Sequence, residues 1–147
     1  MVEYLVKVAT VWFLGFFPFF EIYVAVPAGM AAGLDPASVI FFSVTGNFLP
    51  VLLIEYGYRQ LRRIEWLRRW LDRPVSEKLT NNINHYGWWY ILLITPWVGV
   101  WAIAVAAKAL HMNRDMLIWG SFISIFLYAL VLTGLIALGI DVFSNDG

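Results

Sequence analysis

The sequence contains no cysteine. That excludes disulfides, thiolate nucleophiles and every metal site built on thiolate. Histidine is almost as scarce: His85 and His111 stand alone, without the spacing of a metal site, so no metal is expected. Charge is sparse as well. Asp, Glu, Lys and Arg make up 14% of the chain, and ten cations cancel ten anions. Such a chain has no electrostatic footprint for nucleic acid. There is no glycine-rich phosphate loop, no G-x-S-x-G and no H-E-x-x-H, and no nucleophile–base pair can be named. Neither an enzyme nor a cofactor is expected.

What the chain has in excess is apolar surface. It is 61% hydrophobic and 18% aromatic, with a mean hydropathy of +0.73, where soluble domains sit near 45–50% apolar. The expected fold is an all-α integral membrane protein, multi-pass in the cell membrane, with one membrane domain over 1–147. Four apolar stretches carry it: Tyr4–Leu34, Ala37–Ile54, Tyr86–Ala107 and Met116–Ile140. Asp35 reads as the N-cap of the second stretch with Pro36 at its first helical position, and Asn113 or Asp115 serves the fourth. No cleaved leader is expected, because no basic segment precedes the first stretch, although Ala25–Gly33 has the small residues of a cleavage site.

Glu21 lies inside the first stretch, and a carboxyl at hydrocarbon depth costs several kcal/mol unless it is protonated, paired or wet. The run around it, Val8–Leu34, is longer than the ~20 residues that cross a bilayer and holds Pro18 and Pro27. A broken helix fits better than one straight span, and irregular backbone at that depth is tolerated only where protein covers it or a cavity adjoins it. The third stretch repeats the pattern. The expected breaks are Pro27-Ala28-Gly29 and Pro96-Trp97-Val98-Gly99, and each following helix has a Gly-polar pair, Gly46-Asn47 and Gly120-Ser121. The chain is thus read as two pseudo-repeats, 1–54 and 86–147, each a re-entrant hairpin plus a transmembrane helix. Interrupted segments at matching places in two halves point to a transport site.

The repeats are joined by a basic linker, 55–85, which holds seven of the ten Lys and Arg. On one continuous helical wheel Leu61, Ile64, Leu67 and Leu71 share a face, while Arg59, Arg62, Arg63, Arg69 and Arg73 gather opposite with Trp66 and Trp70. That pattern suits an interfacial helix binding anionic lipid headgroups, or a cytoplasmic helix packing its aliphatic face on the bundle. Either way the linker is cytoplasmic by the positive-inside rule. With two hairpins nine of the ten Lys and Arg fall inside, leaving Asp141 and Asp146 outside; with simple spans only eight do.

Four islands, in order, resemble the small multidrug export family of prokaryotic membrane proteins, a distant relative of the DedA superfamily. They are Glu21-Ile-Tyr-Val-Ala-Val-Pro27-Ala-Gly29, similar to E-L-R-x-A-I-P-x-G; Gly46-Asn47-Phe-Leu-Pro50, similar to G-N-x-x-P; His85-Tyr86-Gly87; and Thr95-Pro96-Trp97-Val98-Gly99-Val100-Trp101, similar to L-P-G-T-G-A-W. Glu21, Pro27, Asn47, Pro96 and Gly99 keep the family pattern. The Arg that follows the family's Glu is Tyr23 here, which leaves Glu21 protonated or solvated at rest. Ile94, Trp97 and Val98 also depart from the pattern. The resemblance implies two re-entrant hairpins meeting near the midplane and a transport role, with lipid or polyprenyl-phosphate translocation the leading idea for DedA relatives.

The expected function is transport, flipping or scrambling of an amphipathic substrate, lipid-like or drug-like, with proton coupling through Glu21. Its site is Glu21, Tyr23, Pro27, Gly29, Asn47, Pro96, Trp97, Gly99 and Trp101. Asn47 is the expected hydrogen-bond partner of Glu21, or else a helix–helix contact. The Trp residues read mostly as an interfacial belt, with Trp97 and Trp101 as exceptions beside the second break that flank a cavity for a lipophilic cation. Ala25, Gly29 and Gly33 read as a packing face, and Glu55 with Arg59 as an i,i+4 pair. The expected partners are membrane lipid and a second copy of the chain. The alternative from another class is a membrane scaffold that binds anionic lipid or a partner through its basic linker. A four-helix drug/proton antiporter fits less well, since its loops are short.

Overall fold

The computed structural model describes residues 1–74 and 76–145, without the side chains of Trp70 and residues 140–145. The expectation for Asp146, and that for the side chains of Asp141 and Trp70, lies outside what is described. Every regular element is helical among the described residues: α1 Val2–Phe16, α2 Glu21–Ala31, α3 Pro36–Leu61, α4 Glu65–Leu71, α5 Glu77–Tyr86, α6 Trp88–Val98, α7 Val100–Ala109 and α8 Arg114–Asn145. The chain forms two compact units. Unit one is Met1–Phe48 with the chain from Ile125 onward; unit two is Leu49–Ser124.

Helices α3 and α8 are long and apolar enough to cross a membrane, whereas α2, α6 and α7 are apolar but short. Along α8 the side chains of Phe126, Leu127, Leu130, Val131, Leu135 and Leu138 are exposed. A contiguous exposed apolar face marks a membrane or protein interaction surface, and here it lies on a helix long and apolar enough to cross a membrane.

In unit one, α1 and α2 pack antiparallel, and α3 runs parallel to α1. Tyr4 Oη meets Ser38 Oγ at 2.8 Å near the starts of α1 and α3. Gly29 of α2 sits so close to Val11 and Val39 that a Cβ there would lie 2.9 Å from a Val39 methyl and 3.0 Å from one of Val11. The tightest crossing is between α1 and α3. A Cβ on Gly15 would come within 2.8 Å of the Ser43 carbonyl oxygen, and one on Gly46 would overlap the Trp12 carbonyl. Backbones meet there without side chains between them, the arrangement that small residues permit in membrane bundles. Of the expected packing face, Ala25 and Gly29 are buried. Gly33 instead has a φ of 77° and ends α2. Its N–H bonds the Met30 carbonyl and the Leu34 N–H bonds the Gly29 carbonyl, which together form a Schellman turn.

In unit two, α6 runs parallel to the first part of α8. A Cβ on Gly87 would lie 3.7 Å from the Met116 methyl, and Gly120 abuts Ile91. Helix α7 is buried over most of its circumference, from Val100 and Trp101 to Ala106 and Ala107. It also ends in a Schellman turn, with His111 at a φ of 53°, its N–H on the Lys108 carbonyl and the Met112 N–H on that of Ala107. Both long helices start on side-chain caps. Asp35 Oδ1 accepts the Ser38 N–H at 2.9 Å, and Asn113 Oδ1 accepts that of Asp115 at 2.9 Å.

Two expectations fail. Pro27-Ala28-Gly29 is not a break but lies inside α2; the interruption of the first stretch falls earlier, at Phe17–Phe20. Pro27 removes only one donor, to the Tyr23 carbonyl, and both residues lie on the exposed side of α2. The basic linker is not one amphipathic helix either. Helix α3 runs on to Leu61, a turn follows over 62–64, and α4 is short. Leu71 is buried but Ile64 is exposed, because the turn resets the phase that a continuous wheel assumes.

Two outcomes test this packing. Gly46→Ala should lower the melting temperature in detergent by the equivalent of about 1–3 kcal/mol or more. Gly134→Ala, where a Cβ meets nothing within 4 Å, should be neutral or slightly stabilising. The Asp35 carboxyl, outside the apolar helices, is held below the usual carboxylate range mainly by the Ser38 hydroxyl and then by its N–H. Its contribution is present above the unfolded-state pKa and lost as the pH falls through the lowered folded value. Melts from neutral to acid pH should therefore show a shallower acid limb for Asp35→Asn, which keeps the cap.

Candidate functional site

Glu21 is the first residue of α2, and the sequence just before it dictates how it is presented. Pro18 cannot continue α1 and pushes the preceding residue out of the helical region. Phe17 is extended, with φ −75° and ψ 132°. A tight turn closes on it, with the N–H groups of Phe20 and Glu21 bonding its carbonyl at 3.1 and 3.2 Å. The Phe17 ring lies 5.7 Å from that of Phe13, 6.0 Å from Phe19 and 5.6 Å from Phe20. Glu21 then takes a φ of 46°, left-handed backbone that a non-glycine residue rarely adopts. The residue is 7% exposed. A carboxylate in the first turn of a helix also meets the positive end of the helix dipole.

Asn47 is 2% exposed, on the side of α3 that faces Gly15; a Cβ on Gly15 would lie 3.2 Å from its backbone nitrogen. Asn47 Oδ1 has no hydrogen-bond partner among the described residues, so no bond from Glu21 reaches that oxygen. Thr133 Oγ1 in the same unit is also buried with no partner among the described residues. Thr133 escaped the sequence reading, since one hydroxyl in a long apolar helix carries no periodic signal. Tyr23 and Pro27 are exposed, on the other side of α2 from Glu21, and Gly29 is buried between Val11 and Val39.

The corresponding region of unit two is built around Pro96 and Gly99. Pro96 continues α6, and the interruption is Gly99 alone, with φ 95° and ψ 144°. Pro96 cannot donate to the Leu92 carbonyl. Ser124 Oγ donates to that carbonyl instead, at 2.7 Å. Trp97 is 78% exposed whereas Trp101 is buried, so the two indoles face different surroundings.

The basic residues divide by partner. Arg62 pairs with Asp72 at 3.1 Å and lies over the Tyr58 ring. Arg63, Arg69 and Arg73 are exposed. The Glu55 carboxylate pairs with Lys108 of α7 at 3.0 Å, rather than with Arg59 one turn on. Among the described residues no group of three or more metal-binding side chains occurs.

Residues 21–131 match the model of a protein family described as "Putative small multi-drug export protein". No curated protein and no solved structure matches the chain. The matched span begins at Glu21 and takes in α2 through most of α8, so the chain belongs to this family. Its description is one of export rather than catalysis. With the two long apolar helices α3 and α8, it makes the chain a membrane protein.

Asn47 offers a direct test of what its orphan oxygen costs. Asn47→Leu keeps the approximate volume and removes an unsatisfied buried acceptor. It should leave the melting temperature in detergent unchanged or raise it, by up to the ~1–3 kcal/mol such a group costs. A clear loss of stability would mean that the amide makes a necessary bond.

Proposed function

We propose that the chain moves an amphipathic substrate, lipid-like or drug-like, across the membrane. In this reading Glu21 exchanges a proton or receives a cationic group during the step. The observation that carries it is the Glu21 carboxylate itself, buried, at the start of a short helix and on left-handed backbone directly after the Pro18 turn. A non-glycine residue in that conformation costs about 1–3 kcal/mol, and strain of this kind gathers at functional sites.

Helix lengths support two re-entrant hairpins. Helices α2 and α7 reach about 16 and 15 Å, roughly half of a ~30 Å hydrocarbon core. A repeat in the local backbone supports them too. Pro18 corresponds to Pro96, Glu21 to Gly99, Gly33 to His111, Asp35 to Asn113 and Ser43 to Ser121, each pair 78 residues apart. This register replaces the matching of Pro27 with Pro96. Asn47 belongs to the proposed site in the first repeat, and the second repeat contributes its own break at Pro96–Trp101. The family's name, one of export, supports the transport class. Substrate, flipping or scrambling, coupling, a cytoplasmic basic segment and a second copy of the chain are part of this proposal.

Transport in proteoliposomes tests it. Glu21→Gln keeps the shape of the side chain, and Glu21→Gly removes the backbone strain. Both should melt at or above the wild-type temperature and lose pH-dependent transport, while Glu21→Asp keeps part of it with a shifted pH profile. Wild-type rates for Glu21→Gln, across lipids and lipophilic cations, would remove Glu21 from the mechanism and leave a scaffold role ahead.

A further inference from the structure

We propose that a cavity in unit two, lined by Glu55, Tyr56, Tyr58, Arg59, Gln60 and Lys108, binds a phosphate group, carried by an anionic lipid headgroup or free in solution. It is separate from Glu21 and stands without the transport reading. Its volume is about 370 Å³, enough for a phosphate and part of a glycerol headgroup. It opens just beyond the apolar stretch 37–54 of α3, which is headgroup level for a membrane-spanning helix.

The chemistry is set by how Lys108 is held. Its ammonium donates to the Glu55 carbonyl at 3.1 Å and to Glu55 Oε1 at 3.0 Å. An ammonium has three N–H donors, so one remains for a ligand in the cavity. The Glu55 side chain is 10% exposed and that of Lys108 31%, which fixes the ammonium against the wall while leaving it accessible. The same contact occupies the carboxylate that Arg59, one turn on, would otherwise attract. Arg59 is exposed and makes no ion pair with a described residue. With Glu55 offsetting Lys108, Arg59 leaves the lining with one net positive charge and a planar fork suited to phosphate. Two further guanidiniums lie against the rings of the lining tyrosines, each beside a carboxylate of its own, Asp72 for Arg62 and Asp115 for Arg114. Arg62 lies 5.8 Å from the Tyr58 ring centroid and Arg114 5.6 Å from that of Tyr56. The tyrosine hydroxyls and the Gln60 amide are further donors.

An ion pair that only ties α3 to α7 would behave differently when Glu55 is neutralised, and the test uses that difference. The full chain in detergent is incubated with phosphatidylglycerol, and bound lipid is counted by native mass spectrometry, with and without inorganic phosphate as competitor. Arg59→Gln and Lys108→Gln should each weaken retention about tenfold, the loss of one charge-assisted hydrogen bond. Glu55→Gln should strengthen retention, because it frees Lys108 and removes the repelling carboxylate. Glu55→Gln/Lys108→Met should bind no better than Lys108→Gln. Displacement by inorganic phosphate would identify a free-phosphate site; retention in its presence would identify a lipid site. Unchanged retention for Arg59→Gln, whose exposed side chain is not needed for folding, would overturn the proposal even if the Glu55 variants fail to fold. So would equal loss of stability in Glu55→Gln and Lys108→Gln without any change in retention.

Discussion

A helix that stops inside an apolar surrounding leaves backbone N–H and C=O groups that no water reaches, and each orphan costs several kcal/mol. This chain stops helices inside its apolar stretches at Phe17–Phe20 and Gly99, and at their ends near Gly33 and His111, and the local sequence answers that cost. Schellman turns at Gly33 and His111 close the last carbonyls of α2 and α7. Asp35 and Asn113 receive the first free N–H groups of the long helices that follow. Where Pro96 withholds a donor, the Ser124 hydroxyl supplies it to the Leu92 carbonyl. Interruption is thus tolerated because each one is answered by a named side chain or turn. Asn47, Ser121 and Thr133, whose buried oxygens lack described partners, stand out against that background.

The same apolar surroundings explain why glycine carries the packing of unit one. Between helices in lipid there is no hydrophobic gain to draw side chains together, so close backbone approach and dispersion do that work. Gly15 and Gly46 let α1 and α3 approach until carbonyls replace side chains at the crossing. That crossing sets Asn47 against α1, and the turn after α1 delivers Glu21. Polar groups at depth are therefore held by backbone geometry that only a few residue types can produce.

Much of this was legible in the sequence, for reasons that also mark where legibility ended. Composition and uninterrupted apolar runs gave the helical membrane class and the two long helices, because length and hydropathy are one-dimensional properties. Asp35-Pro36 read correctly as a helix start, since a cap acts within three residues. The position of the first break did not. Proline marks both Pro18 and Pro27, and only the turn geometry of Phe17–Phe20 decides which one stops a helix. The linker misled because a helical wheel carries phase across any stretch it is drawn on, and the turn at 62–64 resets it. Glu55 with Arg59 was the obvious local pair; Lys108, distant in sequence, holds the carboxylate instead. Glu21 stood out as a carboxyl in an apolar run, and Asn47 through its Gly-Asn pair and the family motif; no periodicity alone would have distinguished Asn47 from a packing residue.

The shortness of α7 bears on how the chain is made. A nascent chain entering a membrane is read by segment length before any tertiary contact exists, and about 20 apolar residues count as a span. Helices α6 and α7 together, Trp88–Ala109, meet that length; neither does alone. At synthesis the pair meets that length as one span, and in the proposed re-entrant arrangement α7 is set apart by the turn at Gly99. Lys108 finds Glu55 already made, more than fifty residues upstream, so the ion pair between α3 and α7 waits on the later of the two helices.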